Sequence, residues 1–296
     1  MIACCYNRDI KRNCGVNFQD IIKNLESFWS EYGCTILQPY TTEIGAGTLH
    51  PATVMSAINP YPIKISHVQP VIRPADGRYG DNPNRLYQHH QYQVLIKPSS
   101  NKLQEAYLAS MERIGISPKD HDIQFIEDDW ENPSIGAWGL GWEVVCNGME
   151  ITQFTYMQQV GGIDCTMIPG EIAYGLERIA MYIQDIDNVY DIVWDSRGTT
   201  YGDIFKRREY EFSKLALDFY RVDFLFRNFS ESEQLCHDMI AQGLPYAAYD
   251  QCVKASHFLN LLDSRGALSS SERASYIFRV RKLASSCSSL YVSSFS

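Results

Sequence analysis

The strongest constraint on the fold is a β-hairpin signal between residues 136 and 160. This stretch is rich in Trp, Val, Ile, Phe and Tyr, and it is broken at Asn147-Gly148. Asn-Gly between two β-forming runs favours a tight two-residue turn, because both residues tolerate positive φ. The sequence therefore predicts that Trp142–Cys146 and Glu150–Met157 pair as antiparallel strands.

Upstream segments extend this sheet and flank it with helices. Apolar residues recur with helical spacing over 18–32, and Gly33 follows as a helix-ending glycine. A second helix is predicted at 101–114 and a third at 170–183, entered through Pro169-Gly170. A loop rich in Pro, Gly, Asn and Asp occupies 74–85 and indicates a hairpin between its flanking strands. The predicted strands lie at 34–39, 67–71, 91–96 and 122–127.

The chain changes character at about residue 204, where β-branched runs end. Ser230 or Ser232 is a candidate cap for the second of four predicted helices, and Ser269–Ser271 with Glu272 for the fourth. These helices lie at about 207–228, 231–242, 246–262 and 270–285. The predicted fold class is α+β, with a mainly antiparallel sheet flanked by helices at 18–203, an all-helical domain at 204–285 and a frayed end at 286–296.

The composition excludes several classes of protein. The chain has 296 residues, 26 Lys and Arg against 35 Asp and Glu, and a net charge of -9. No apolar run approaches the roughly 18–20 residues that cross a bilayer, so no membrane span is expected. The nine cysteines form no C-x-x-C pair, which favours reduced thiols and a cytoplasmic location. Residues 1–17 lack the apolar segment of a secretory signal, and we expect a disordered tail there.

Four segments carry candidate chemistry, and their order along the chain is more informative than any one of them. The first is the helix and strand over 18–39. In the second, a strand bearing Arg73 leads into the 74–85 loop and returns as Gln91-Tyr92-Gln93. The third is the Trp-rich hairpin, and the fourth is a Gly-x-x-x-x-Gly-x-x-Arg run from Gly170 to Arg178.

This order resembles the three signature motifs of class II aminoacyl-tRNA synthetases. Longer strings closely resemble the α subunits of bacterial, heterotetrameric glycyl-tRNA synthetases, and the resemblance runs from about Phe18 to Leu283. It departs at Ile72, where an arginine is usual, and at residues 87–90. The strings that carry it are IGAGTLHPAT, RPADGRYGDNPNRL, FIEDDWENPSIGAWGLGWEV, GMEITQFTYMQQVGG and EIAYGLERIAMY.

The resemblance implies an enzyme that activates glycine with ATP and Mg²⁺ to glycyl-adenylate. With a separate β subunit it would attach glycine to tRNA(Gly), as an α homodimer within an α2β2 tetramer. Two alternatives stay open here: an adenylate-binding paralogue or regulatory module, and an inactive partner subunit. The sequence also leaves open whether the chain is free-standing or part of an α–β fusion.

The resemblance also implies roles for particular residues. Arg73 and Arg178 would be catalytic, Arg73 at the α-phosphate and Arg178 on adenine and the γ-phosphate. Tyr92 would stack on the other face of adenine. The ATP-binding set is Arg73, Asp76, Arg85, Tyr92, Glu171 and Arg178, with Arg78 in the same loop. The glycine-binding set is Gln93, Trp138, Trp142, Glu150 and Gln153, and the candidate Mg²⁺ ligands are Glu143 and Glu150.

Strand alternation restricts which of these side chains can face the cleft, but it does not assign their individual roles. Glu150 and Thr152 share one face of a regular strand, and Gln153 and Thr155 share the other, so one pair should line the cleft. Trp138 and Trp142 either wall off the position of a larger amino-acid side chain or pack in the core. The division of roles among Glu143, Glu150, Gln153 and Glu171 stays open. The histidines are predicted to have structural roles.

Three predictions concern surfaces that would contact a second copy of the chain, the tRNA or the β subunit. Apolar Phe28, Trp29 and Leu37 are predicted to lie at a two-fold dimer interface. Positive charge clusters in the 74–85 loop and the last helix, which is little for a whole tRNA, so we expect poor charging without the β subunit. Candidates for part of the docking surface for that subunit, or for the helical core, are Phe219, Leu225, Phe226 and Phe229. The last-helix cations are Arg273, Arg279, Arg281 and Lys282.

Overall fold

A computed structural model describes residues 15–295, so most of the predicted tail lies outside the described residues. Its centre is a nine-stranded sheet. The strands are β1 (Thr35–Ile36), β2 (Ile63–Ile72), β3 (Gln88–Lys97), β4 (Ile123–Glu127), β5 (Trp130–Asn132), β6 (Ala137–Cys146), β7 (Met149–Val160), β8 (Ile163–Asp164) and β9 (Gly170–Gly175). Their order is β1-β2-β3-β9-β7-β6-β4, with β5 on β6 and β8 on β7. All pairings are antiparallel except β1 with β2, which confirms the predicted α+β class.

Helices flank the sheet, and they also form most of the chain after residue 201. They are α1 (Phe18–Glu31), α2 (Pro51–Ile58), α3 (Leu103–Arg113), α4 (Leu176–Ile183), α5 (Tyr201–Lys214), α6 (Val222–Ala241), α7 (Pro245–Ser264) and α8 (Ser270–Ser293). Helices α1, α3 and α4 bury apolar side chains against one face of the sheet. There Trp29 donates a hydrogen bond from Nε1 to Tyr174 Oη at 3.1 Å.

The C-terminal helices pack onto the sheet rather than forming an isolated core. One hydrophobic cluster joins Val54 of α2 and Met157 of β7 to Tyr249 of α7 and Leu283 of α8. Its members come from both sides of residue 204, so the predicted division there marks a change in secondary structure within a shared core. A side chain in such a cluster contributes about 1.5–3 kcal/mol through burial of its apolar area.

The predicted hairpin at Asn147-Gly148 is confirmed. Both turn residues have positive φ, 47° for Asn147 and 88° for Gly148, and β6 and β7 pair across them. The first helix ends as predicted, with Gly33 at φ 98°. The capping box at Ser269 and Glu272 also forms at the start of α8.

The predicted helix at 170–183 is wrong over its first six residues. Gly170–Gly175 forms β9, a central strand between β3 and β7, and the helix begins only at Leu176. A side chain at Gly170 would collide with Leu103 of α3. This glycine therefore permits close packing of helix on strand and does not initiate a helix.

The predicted helix break near Ser230 is also wrong. Helix α5 continues through a π-turn at Leu215–Phe219, and the chain breaks at Tyr220 and Arg221. Tyr220 N–H donates to Leu215 O at 2.9 Å, and Arg221 is extended. Ser232 lies inside α6 and is buried. Neither Gly nor Pro marks this break, which is why the sequence pattern did not reveal it.

Three further predictions fail on burial. Residues 286–295 are not frayed, because α8 continues to Ser293 and buries Cys287 and Tyr291. Leu225 and Phe229 are fully buried and cannot form a docking surface. Trp29 is likewise fully buried, so it is unavailable to a dimer interface, whereas the other two predicted interface residues are half-buried.

Candidate active site

A cleft of about 700 Å³ opens over the central strands. Strands β3, β7 and β9 form its floor, and the 74–85 loop and the first turn of α4 form its walls. A cavity of this size is typical of small-molecule sites. The lining residues used below are Thr48, Arg73, Asp76, Arg85, His89, Trp130, Glu150, Gln153, Glu171, Ala173, Gly175, Arg178 and Val189.

The two predicted catalytic arginines lie in this one cleft. Arg73 follows β2, and its Nε donates to Gly45 O at 3.0 Å. Arg178 lies in the first turn of α4, and its Nη1 donates to Glu150 O at 3.0 Å and to Glu150 Oε2 at 2.6 Å. The charge of Arg178 acts on Arg73, so the two guanidinium groups concentrate positive charge at this end of the cleft.

The loop arginines have different orientations. Arg85 is exposed and lies 3.4 Å from the Asp76 carboxylate, and both residues line the cleft. Arg78 folds back onto its own loop, where Nη1 donates to Ala75 O at 2.9 Å and to Gly77 O at 2.7 Å. Arg78 therefore stabilises the shape of the loop.

A β-bulge brings Glu150 and Gln153 to the same cleft. Val144 pairs with Thr152, yet the next residue of β6, Val145, pairs with Glu150, so Ile151 is an extra residue in β7. An extra residue reverses the alternation of side chains beyond it. The expectation that only one of the two faces would supply cleft residues is therefore wrong, since both side chains line the cleft.

Glu171 is a carboxylate buried at the floor. It is 3% exposed and accepts hydrogen bonds from Gln93 Nε2 and from the Thr48 hydroxyl. Burial raises the pKa of Glu171 to about 8, and these two hydrogen bonds only partly oppose the effect. Gln93 is fully buried and reaches Glu171 without itself lining the cleft, so it positions that carboxyl group.

Buried polar atoms surround this carboxyl group without partners among residues 15–295. They are Gln93 Oε1, Gln153 Nε2 and Thr155 Oγ1. Gln93, Ala173 and Gln153 are register partners across three strands, and Thr155 pairs with Glu171. Buried polar atoms normally find a partner, so unpaired ones at the floor of a cleft indicate a polar ligand.

Small residues shape the space around Glu171. Residues two apart on β9 share a face, so its cleft face reads Glu171, Ala173, Gly175, and Arg178 follows in α4. A Cβ at Gly47 would lie 2.5 Å from Gln93 Oε1, and one at Gly141 would lie 3.1 Å from Gln153 Nε2. Glu171 and the two arginines therefore line one polar groove, with only small residues between Glu171 and Arg178 on the cleft face of β9.

Three predicted aromatic residues lie outside the cleft. Tyr92 is fully buried beneath the sheet, where its hydroxyl donates to Ser66 Oγ at 3.0 Å, so it cannot stack on a ligand. Trp142 pairs with Phe154 on that same core face. Trp138 is 45% exposed and is not among the cleft-lining residues. Strand alternation is the physical reason in the first two cases.

Two aromatic residues that the sequence reasoning missed line the cleft instead. His89 precedes Gln91 on the same face of β3, and burial together with the charge of Arg73 lowers its pKa to about 3. The ring is therefore neutral and available for stacking. Trp130 pairs with Gly139 of β6. The alternation of β3 was a usable signal for His89, whereas nothing in the local sequence indicated that the short strand β5 covers the cleft.

Glu143 and Glu150 are the candidate metal ligands. Glu150 already forms an ion pair with Arg178. Burial raises the pKa of Glu143, and the negative charges of Glu150 and Asp128 act in the same direction. Glu143 is the register partner of Gln153 but is not among the cleft-lining residues. A divalent cation between the two carboxylates would relieve their repulsion, and carboxylate oxygens are ligands that suit Mg²⁺. Within residues 15–295, no group of three or more side chains forms a metal site by itself.

Comparison with known proteins identifies the class and the family. The antiparallel sheet with two arginines over one cleft is the arrangement that the class II aminoacyl-tRNA synthetase motifs predicted. A family model described as glycyl-tRNA synthetase alpha subunit matches residues 18–295. The chain belongs to this family, and its enzyme class is glycine–tRNA ligase.

One solved structure that resembles this chain is that of Desulfitobacterium hafniense PylSc, a pyrrolysyl tRNA synthetase. The two are 11% identical, with a TM-score of 0.45, and the match covers 63% of this chain and 77% of that chain. No helix within residues 15–295 is both long and apolar enough to cross a membrane.

Proposed function

We propose that this chain catalyses formation of glycyl-adenylate from glycine and ATP, and that the cleft described above is where this occurs. The observation that carries the proposal is the buried Glu171 carboxyl group, which lies beside strands with unpaired polar atoms and shares one cleft with two arginines. An ammonium group fits the carboxylate end and anionic groups fit the arginine end.

The groove fixes the orientation of glycine in this proposal. Its ammonium group binds Glu171, which becomes ionised when the cation arrives, and the Gln93 and Thr48 hydrogen bonds hold the carboxylate in place. The glycine carboxylate then points along β9 towards Arg73 and Arg178. Because this carboxylate is already ionised, no general base is required for its attack on the α-phosphate.

The arginines stabilise the charge that develops during this attack. In-line displacement places negative charge on the equatorial phosphate oxygens, and preorganised cations at that position lower the barrier. Arg73 is held by Gly45 O and Arg178 by Glu150, so both are oriented before ATP binds. A magnesium ion bound with ATP would be held by Glu143 and Glu150 and would neutralise the phosphates.

Adenine contacts are assigned differently from the sequence prediction. His89 lies on the cleft face of β3, where Tyr92 cannot reach, and its neutral ring suits base stacking. Asp76 and Arg85 lie at the loop side of the cleft, where they can contact the rest of ATP.

Selection of glycine follows from the walls. The backbone at Gly47 and Gly141 packs closely against Gln93 and Gln153 behind the floor, so these side chains have little room to move away from a larger substrate, and Trp130 covers the cleft from β5. A filled wall rejects alanine by steric clash, whereas lost attraction for one methyl group would give only about 1–3 kcal/mol.

ATP–pyrophosphate exchange tests the proposal directly. The purified chain should exchange label with glycine, and alanine should support little exchange. A folded chain that binds ATP yet shows no exchange with glycine would favour the adenylate-binding paralogue or the inactive subunit.

The partners follow from the family. An alpha subunit implies a β subunit, and glycine, ATP and tRNA(Gly) are the expected substrates. We further propose an α homodimer within an α2β2 tetramer, acting in the cytoplasm, in which the β subunit provides most of the tRNA affinity. Sedimentation of the isolated chain at micromolar concentration should give a dimer, and a monomer would contradict this.

A further inference from the structure

A stripe of basic and aromatic side chains runs along α5, outside the cleft. Lys206, Tyr210 and Lys214 recur every four residues and so share one face of the helix. Phe219 lies at the end of the π-turn that follows. Tyr210 is 45% exposed, and Phe219, at 66%, is more exposed than any other large apolar side chain of residues 15–295. We call these four side chains the α5 stripe.

The α5 stripe begins at the wall of the cleft. Val189 lines the cleft, and Lys206 Nζ lies 5.1 Å from the centre of the adjacent Tyr190 ring. A Cβ at Gly80 would lie 3.4 Å from Lys206 O, so the 74–85 loop packs directly against this end of α5. A flexible ligand that leaves the cleft over the loop therefore meets the stripe.

The two lysines are not engaged in ion pairs with any residue of the 15–295 range. Nearby acidic groups have other contacts: Glu211 pairs with Arg207 at 2.8 Å, and Asp218 accepts from the Tyr79 hydroxyl at 3.0 Å. The Lys214 ammonium instead lies 5.5 Å from the Tyr210 ring centre and 6.0 Å from that of Phe219. Lys206 is exposed and Lys214 is half-buried, and the Tyr210 and Phe219 rings keep 45% and 66% of their surface exposed.

The three arginines of the last helix differ in this respect, whereas Lys282 lies 4.6 Å from the centre of the Phe278 ring. Arg273 is 3.1 Å from Asp263, Arg279 pairs with Glu233, and Arg281 donates to Pro133 O at 2.8 Å. These cations stabilise the helical packing. In a chain with a net charge of -9, unpaired lysines that alternate with exposed rings point to a ligand with both negative charge and planar rings.

We propose that the α5 stripe binds the unpaired 3′ end of the RNA substrate beside the cleft. Bases stack on Tyr210 and Phe219, and phosphates contact Lys206 and Lys214. The lysines are separated by about 12 Å along the helix axis, at about 1.5 Å per residue. At about 3.4 Å per stacked nucleotide, the stripe accommodates three to four nucleotides. The proposal rests on the proposed function only in taking RNA as the second substrate.

The test compares two RNA probes and three variants of the full chain. The probes are a fluorescent tRNA(Gly) transcript and the same transcript without its unpaired 3′ nucleotides. The stripe variant is Lys206→Gln/Lys214→Gln, and the matched control is Lys102→Gln/Lys119→Gln, which neutralises two exposed lysines elsewhere. Affinity is measured by anisotropy over a range of salt concentrations.

The stripe variant should bind the complete transcript about 10-fold more weakly, with a salt slope smaller by about 1.4, because each single-strand phosphate contact contributes about 0.7. It should bind the shortened transcript as the wild-type chain does, and the control variant should change neither affinity. Tyr210→Ala should weaken only the complete transcript.

Two results would overturn the proposal: unchanged binding of the complete transcript by the stripe variant, or an equal loss for both transcripts, which would indicate contacts with the duplex. ATP–pyrophosphate exchange is measured in parallel and should be unaffected in every variant. Absence of exchange in the wild-type chain would refute the proposed function but leave the RNA comparison interpretable.

Discussion

Replacing Glu171 by Gln should make the protein more stable and unable to use glycine efficiently. The Glu171 carboxyl group is 3% exposed, and burial raises its pKa from the ordinary value of 4.5 to about 8. Between these values the unfolded chain has lost this proton and the folded chain keeps it. The folded state therefore binds more protons, and the contribution of Glu171 to stability is lost as the pH rises from 4.5 to about 8.

The magnitude follows from the shift. At pH 7 the unfolded-state carboxyl is about 2.5 pH units above its pKa, and each unit corresponds to about 1.36 kcal/mol, which gives about 3 kcal/mol. Gln has the same shape and does not ionise. Glu171→Gln should therefore raise the free energy of unfolding by up to about 3 kcal/mol at pH 7 and by less than about 1 kcal/mol at pH 5.

Urea unfolding followed by fluorescence at pH 5, 6, 7 and 8 measures this difference. Glu177→Gln is a matched control, because Glu177 is also a buried carboxylate. Burial would raise the pKa of Glu177, but hydrogen bonding and charge from His90 lower it, so this variant should be destabilised at pH 7. A stability difference for Glu171→Gln that does not vary with pH would show that Glu171 is ionised in the folded protein and would refute the reasoning.

The raised pKa of Glu171 also predicts how the KM for glycine depends on pH. Since the ammonium group requires ionised Glu171, binding releases a proton below pH 8, and the KM for glycine should fall by up to about tenfold per pH unit between pH 6 and 7. In Glu171→Gln this dependence should disappear while the KM rises at every pH. The KM for ATP serves as the internal control and should follow a different profile.

Four further variants and one further condition test the remaining assignments. Arg73→Ala and Arg178→Ala should each lower exchange by about 10²–10³ in folded protein, and near-normal exchange would refute their roles. His89→Ala should raise the KM for ATP by an amount equivalent to about 1–3 kcal/mol of lost base stacking, with the KM for glycine unchanged. Tyr92→Phe should keep normal exchange and lose about 1 kcal/mol of stability, because only the Ser66 hydrogen bond is removed. The isolated chain should exchange label fully yet charge tRNA(Gly) slowly until β subunit is added, and rapid charging without it would contradict the division of labour.

The sequence correctly predicted turns and helix ends that depend on only a few adjacent residues. The turn at Asn147-Gly148, the glycine after α1 and the capping box at Ser269 each depend on a few adjacent residues. The two arginines were found because the resemblance covers long, specific strings. Strand β9 was missed because Gly170 serves packing against Leu103, a contact that no pattern within β9 reveals.

The composition of the cleft was harder to predict, since it depends on strand pairing. Tyr92 and Gln93 are adjacent on one strand, so they cannot both face the cleft, and this conflict was visible in the sequence. The bulge at Ile151 was not, because it arises from the pairing of β7 with β6. That single extra residue is what allows Glu150 to reach Arg178 while Gln153 lies beside the groove.

Glycine offers few atoms for an enzyme to contact, and we propose that this accounts for the cost in stability that the buried Glu171 imposes on the fold. The amino acid has about five non-hydrogen atoms, and small ligands gain at most about 1.5 kcal/mol per atom, so nearly every atom must make a strong contact. In this proposal rigid packing such as that of Gly47 against Gln93 helps to exclude larger amino acids, but exclusion adds no affinity. A buried carboxyl group whose charge is satisfied only by an incoming ammonium group adds affinity for that group, since the ion pair forms away from water. The instability of the empty cleft and the affinity for glycine then have the same physical origin, and Glu171→Gln should change them in opposite directions.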